Sequence, residues 1–220
     1  MLATPPLQPL SFRAVAIRAV FYILALAALT QAAFVIDARR AGGPDFSEVS
    51  FTEITQALVL LASSLLMLYA RQRQKVFPTA ALLLWGLFFA SFIRENDLWL
   101  DTYVFDGAWQ VLATLTALPV LILTLRRRHQ FLKEFHRLAD TLGFGLFAGG
   151  FLVTYLFSRL YGRGELWHAL MGEHYLRVVK DAAEEMTELT GYALMLFGCI
   201  EIVLLARRLQ RRAALEPSTT

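Results

Sequence analysis

Met186–Ala206 reads MTELTGYALMLFGCIEIVLLA and runs straight into Arg207 and Arg208. A helix needs about 20 predominantly apolar residues to cross the roughly 30 Å hydrocarbon core of a bilayer, and this stretch supplies them. Working back along the chain, five more blocks have the same character: Leu138–Ser158, Gly107–Leu125, Phe77–Ile93, Phe51–Ala70 and Ala14–Ile36. The first could also be read as a secretory signal. Its apolar core, Ala19–Ile36, is longer than the roughly 7–15 residues of a signal's apolar region, so an uncleaved first helix is expected. The expected fold is therefore all-α: a polytopic membrane protein, a six-transmembrane-helix bundle forming one integral membrane domain over residues 1–220.

Composition agrees with this reading. Of the 220 residues 57% are hydrophobic, against about 45–50% in a soluble domain, and the mean hydropathy is +0.51. The net charge of +3 does not call for nucleic acid as a partner, because the basic residues lie in short loops between apolar blocks. Arg13 and Arg18, Arg71 to Lys75, Arg126 to Arg137 and Arg207 to Arg212 place 14 of the 21 Lys and Arg residues on one side. Basic residues flanking spans stay in the cytoplasm. Both termini are then expected inside, in a multi-pass protein of the inner or plasma membrane with the bilayer as its first partner. The stretch Arg126–Lys133 reads as a basic loop that anchors topology and meets anionic headgroups.

Acids show the opposite bias: 14 of 18 fall on the extracytoplasmic side, from Asp37, Asp45 and Glu48 to Glu188. Topology rules make no demand for this, because acids contribute little to orientation. Asp181, Glu184 or Glu185, Glu188 and Tyr192 recur at intervals of three or four and share one helix face. Glu188 is followed by unbroken apolar sequence, so its side chain is costly unless it faces the bundle. Glu53 and Gln56 lie one turn apart at the start of the second block, where Gln56 needs a hydrogen-bond partner from another helix. Arg94, Glu95 and Asp97 close the third block, and Arg94 either snorkels to the interface or pairs with Glu53, Glu95 or Glu188. These residues are the expected ligand- or ion-binding set: Glu53, Gln56, Arg94, Glu95, Asp97, Asp181, Glu185, Glu188 and Tyr192.

His168, His174 and Glu184 are the metal candidates, since imidazole with carboxylate suits zinc, manganese or iron. A divalent metal would be the cofactor. However, no His-Glu-x-x-His and no paired Glu-x-x-His helices occur, and neither do a nucleophile elbow, a phosphate loop or a dinucleotide fingerprint. Gly145 and Gly149 form a small-xxx-small pair expected to let two helices approach closely. Cys199 lies inside an apolar block, and Trp99, Trp109 and Trp167 read as interfacial belt residues.

Three functions fit such a chain. The leading expectation is binding or translocation of a cation or small polar solute, with a small cationic ligand or metal as partner. The second is a structural or accessory subunit that holds a membrane-protein partner. The third is a metal-dependent membrane-embedded hydrolase acting on lipid headgroups, so whether the chain is an enzyme stays open. Toward the inner face the acids thin out to Asp140 and Glu201, which argues against a simple through-pore.

Overall fold

The computed structural model describes residues 11–39 and 50–215. Arg40, Asp45 and Glu48, counted above, lie outside the described residues. Every element among the described residues is helical, and no strand forms there. Helix α1 (Phe12–Ala33) ends in a π turn over Phe34–Ala38, and α2 (Phe51–Tyr69) in another over Ala70–Gln74. Then come α3 (Pro78–Arg94), the short α4 (Asp97–Tyr103), α5 (Ala108–Arg126) and α6 (Arg128–Ala139). Helix α7 (Leu142–Leu152) runs through a π turn, Val153–Phe157, into α8 (Ser158–Tyr161). The short α9 (Gly164–Met171) leads to α10 (Arg177–Leu215).

Five of these helical stretches are long and apolar enough to cross a membrane: Phe12–Ala38, Phe51–Gln74, Ala108–Arg126, Leu142–Tyr161 and Arg177–Leu215. The sixth apolar helix, Pro78–Arg94, has 17 residues, about 25 Å at 1.5 Å per residue. Local chemistry fixes several starts. The Ser11, Ser50 and Thr141 hydroxyls accept from Ala14 N, Glu53 N and Phe144 N, the usual way of satisfying a helix's free amides. Pro78 opens α3, where its missing N–H costs nothing. Gly107, at φ +82°, provides the left-handed residue from which α5 departs.

Helix α10 is the axis of the molecule. It packs against α7 on one side and α2 on another, α3 lies on α2, and α5 lies on α3. Leu60 and Met67 of α2, Phe88 of α3 and Tyr192, Met195 and Cys199 of α10 fill the seam between these helices. Helix α1 leans on α10 through Tyr22, which stacks on Phe197 with ring centroids 4.5 Å apart. The tie is reinforced by Glu201 of α10, buried between Arg18 (2.8 Å) and the Tyr22 hydroxyl (2.7 Å). A carboxylate so placed within an apolar helix requires such partners.

Two features differ from the sequence expectation. The basic stretch after Arg126 is a helix, α6, and not a loop. Phe131, Phe135 and Leu138 recur at helical spacing and turn toward the bundle, while Arg128, Lys133 and Arg137 stay exposed. The one acid of that helix, Glu134, is buried. Its carboxylate accepts from the amides of Thr79 (2.9 Å) and Ala80 (2.7 Å), capping the positive end of α3.

The second difference concerns glycine. Gly145 and Gly149 face open space, and no neighbour would touch a Cβ at either. The close approach is made by Gly143 and Gly150 of α7 against Gly198 and Gly191 of α10. A Cβ on Gly150 would stand 2.6 Å from the Gly191 carbonyl oxygen, and one on Gly198 would stand 2.8 Å from that of Gly143. Each pair is spaced by seven residues, two helical turns, and so keeps to one face of its helix.

Candidate functional site

The acidic end of the bundle, where α3 finishes and α10 enters, gathers charged groups from three helices. Glu188 of α10 is 2% exposed and lies between two arginines. Its Oε2 faces Arg94 Nη2 from the end of α3 at 3.5 Å. Its Oε1 accepts from Arg159 Nη2 of α8 and from Ser158 Oγ at 3.1 Å. The arginine side chains remain 35% and 48% exposed, so each keeps part of its hydration while neutralising a buried carboxylate. The π turn at Val153–Phe157 precedes Ser158 and Arg159 directly. Its wider loop shifts later residues around the helix axis relative to a continuous α-helix. The single Ser158 hydroxyl proton is shared between Glu188 and the Thr154 carbonyl within that turn.

Further polar side chains from α3, the Val153–Phe157 turn and α10 close around this pivot. Arg94 Nη2 reaches Glu95 Oε1 at 3.3 Å, and the same oxygen accepts from the fully buried Tyr192 hydroxyl at 2.8 Å. Ser91 and Tyr155 share a 2.6 Å hydroxyl pair. Glu184 is held by Arg159 (3.4 Å) and Lys180 (3.2 Å), and it backs directly onto Gly162. Asp181, one turn further out, pairs with Arg177 and Lys180 of its own helix.

Gln56 and Glu185 make a distinct couple. Gln56 is 0% exposed, and its Nε2 donates to both the Glu185 carbonyl and Glu185 Oε2 at 2.9 Å. Two acceptors on one side fix the orientation of the amide. Its Oε1 is thus turned away, is buried, and accepts no hydrogen bond among the described residues. Among the described residues Glu185 makes no ion pair, in contrast to Glu95, Glu184 and Glu188.

Of the residues expected from sequence, the fold joins Arg94, Glu95, Glu188 and Tyr192 in one network, with Gln56 and Glu185 beside it. Glu53 opens α2 one turn before Gln56, its amide held by Ser50. Asp97 opens α4 and accepts from the neighbouring Leu98 amide. The three metal candidates do not gather. His168 and His174 are exposed, His168 lies against the Tyr175 ring at 3.8 Å, and Glu184 is taken by its two cations. Among the described residues no group of three or more His, Cys, Asp or Glu is arranged to hold a metal ion.

Sequence reasoning did not assign Arg159, Ser158, Ser91 or Tyr155 to the site. Their signal was present as polar residues interrupting the apolar fifth and third blocks near the acidic end. Asp37, counted only as one of many acids, is buried and accepts from Phe51 N, Thr52 N and Thr52 Oγ1, an anchor for the start of α2. Below the cluster the interior is closed by Tyr192, Phe88, Leu60 and Met195, all fully buried. No family model matches this chain, and neither a curated protein nor a solved structure does.

Proposed function

We propose that this chain is a six-span protein of the inner or plasma membrane that binds a small cationic solute at its extracytoplasmic end. Gln56 and Glu185 are its first contacts. The observation that carries this reading is the Gln56–Glu185 couple. A buried carbonyl oxygen left without a donor costs about 1–3 kcal/mol, and the carboxylate that orients this amide makes no close ion pair among the described residues. A ligand bearing N–H donors and positive charge, such as a primary ammonium or a guanidinium, satisfies both at once. Glu188 is not the ligand's counter-ion on this reading, because two arginines already occupy it. The apolar floor beneath Tyr192 favours binding from one side over an open pore.

Orientation follows from the basic asymmetry. Reporter fusions after Gln74 and after Asp101 are expected to report opposite compartments, the first cytoplasmic. The same compartment for both would overturn the topology.

Binding is tested on the purified full-length protein in detergent, by thermal shift against methylammonium, ethanolammonium, guanidinium, sodium, potassium and magnesium. At least one nitrogen cation is expected to raise the melting temperature in a saturable way. Glu185→Gln should abolish that rise, and Gln56→Leu should weaken binding about tenfold to a hundredfold, one lost hydrogen bond to a charged group. A shift that persists undiminished in Glu185→Gln, or none with any probe, removes this reading.

A further inference from the structure

At the opposite end of the bundle, a 330 Å³ cavity opens between α3, α6 and α7, lined by apolar side chains alone. Leu83 and Leu87 form one wall, Phe144 and Phe151 another, and Phe131 and Phe135 of α6 its basic end. Phe135 and Phe151 are exposed, so the cavity is a groove in the bundle's side and not a sealed void. Its walls follow α3 from Ala80 to Leu87 and α7 from Phe144 to Phe151. Each covers about 10 Å along its helix axis, directed from the end of the bundle toward its middle.

What stands above the groove is strongly cationic. Arg126, Arg127, Arg128, Lys133 and Arg137 are all exposed on or beside α6. The segment's acid, Glu134, does not offset them, because it is buried and spent on the amides of Thr79 and Ala80. Arg128 lies one and two turns before Phe131 and Phe135 on the groove-facing side of α6. Arg137 sits over the Phe77 ring at 5.4 Å, at the other edge.

We infer that this groove is a binding site for one anionic phospholipid of the adjacent leaflet, with an acyl chain between α3 and α7 and its phosphate against the Arg126–Arg128 end of α6. The two halves of the site match the two halves of such a molecule. The walls offer no hydrogen-bonding group to a chain that needs none, and the rim offers five exposed cations against one exposed acid, Asp140 at the far end of α6 from Arg128. Basic residues close to a headgroup select anionic over zwitterionic lipid, and guanidinium groups bind phosphate with two parallel hydrogen bonds. The inference needs only that the chain spans a bilayer. It does not depend on the solute site, which is at the other end.

The test uses the full chain reconstituted in phosphatidylcholine vesicles containing a small fraction of tail-spin-labelled lipid, either phosphatidylglycerol or phosphatidylcholine. Electron paramagnetic resonance reads the immobilised fraction. Labelled phosphatidylglycerol is expected to be held about fivefold more strongly than the choline lipid, the effect of roughly one extra basic contact. Leu87→Trp fills the groove and keeps every charge, and it should reduce immobilisation of both labels. The double variant Arg127→Gln, Arg128→Gln keeps the groove and should erase the preference only. Equal retention of both lipids by the unaltered protein overturns the inference, as does a preference that survives both variants. A polypeptide that copurifies in the groove and excludes either label overturns it too.

Discussion

Glu188→Leu is expected to lower the melting temperature in detergent by about 6–12 °C and to reduce the yield of folded protein. The carboxylate ties α3 and α8 to α10, and its loss leaves Arg94 and Arg159 facing each other across an apolar side chain. Removing one partner of a buried ion pair costs about 3–5 kcal/mol. Both arginines retain some solvent, so the lower end, about 3 kcal/mol, applies. For a chain of this length each kcal/mol corresponds to about 2–4 °C. Glu188→Gln keeps an oxygen for Ser158 and one arginine, and should lose roughly half as much. If the cost arises from stranded charge, Arg94→Leu placed on top of Glu188→Leu should recover part of it. Wild-type stability in Glu188→Leu would remove Glu188 from its structural place. Loss of solute binding at full stability would instead make it a ligand group, the role its sequence context first indicated.

The apolar blocks were legible because bilayer thickness demands a length that few soluble sequences imitate. Each of the six blocks is a helix, with ends displaced by a few residues where caps and π turns decide them. The last helix is the largest displacement: it begins at Arg177, about two and a half turns before its apolar body. Charged residues hid those turns, since hydropathy registers burial in lipid and not helicity. The same blindness made α6 read as a loop. Phe131, Phe135 and Leu138 follow the i, i+4, i+7 pattern of an amphipathic helix, yet five cationic or histidine residues from Arg128 to Arg137 mask it.

The site was legible in its membership more than its pairing. Cost arguments pointed to Glu188, Arg94 and Gln56, because none is tolerable against lipid without a partner. Gln56 did find one on another helix, Glu185. Which acid each cation would choose depends on how α7, α8 and α10 cross, and spacing along one chain does not encode that. Arg159 and Glu188 are 29 positions apart on different helices. Their meeting depends on the π turn and on the glycine contact between α7 and α10, neither of which hydropathy can register.

That glycine contact supports the last prediction, in which four alanine substitutions of one chemical type divide by sign. Gly150→Ala and Gly191→Ala should each destabilise the protein by about 1–3 kcal/mol or more, the usual cost of overpacking a close contact. Backbone stands in the way at both: a Cβ on Gly150 meets the Gly191 carbonyl at 2.6 Å, and one on Gly191 meets the Thr154 hydroxyl first and then the Gly150 carbonyl and Thr154 amide nitrogen, both at 2.8 Å. Backbone cannot rotate aside as a side chain can, so α7 and α10 must separate. Separation also draws Ser158 and Arg159 away from Glu188, which adds the cost of a stretched ion pair to the lost packing. Gly145→Ala and Gly149→Ala meet nothing within 4 Å. These should stabilise α7 by about 0.5–1 kcal/mol, the difference in helix propensity between the two residues. Melting temperatures of the four variants in one detergent decide the matter. Equal effects at all four positions would mean that α7 and α10 are not in direct backbone contact. A reversed order, with Gly145 and Gly149 the sensitive pair, would restore the small-xxx-small reading. Because the contact holds α8 against α10, Gly150→Ala should also weaken any nitrogen cation bound beside Glu185, whereas Gly145→Ala should leave its affinity unchanged.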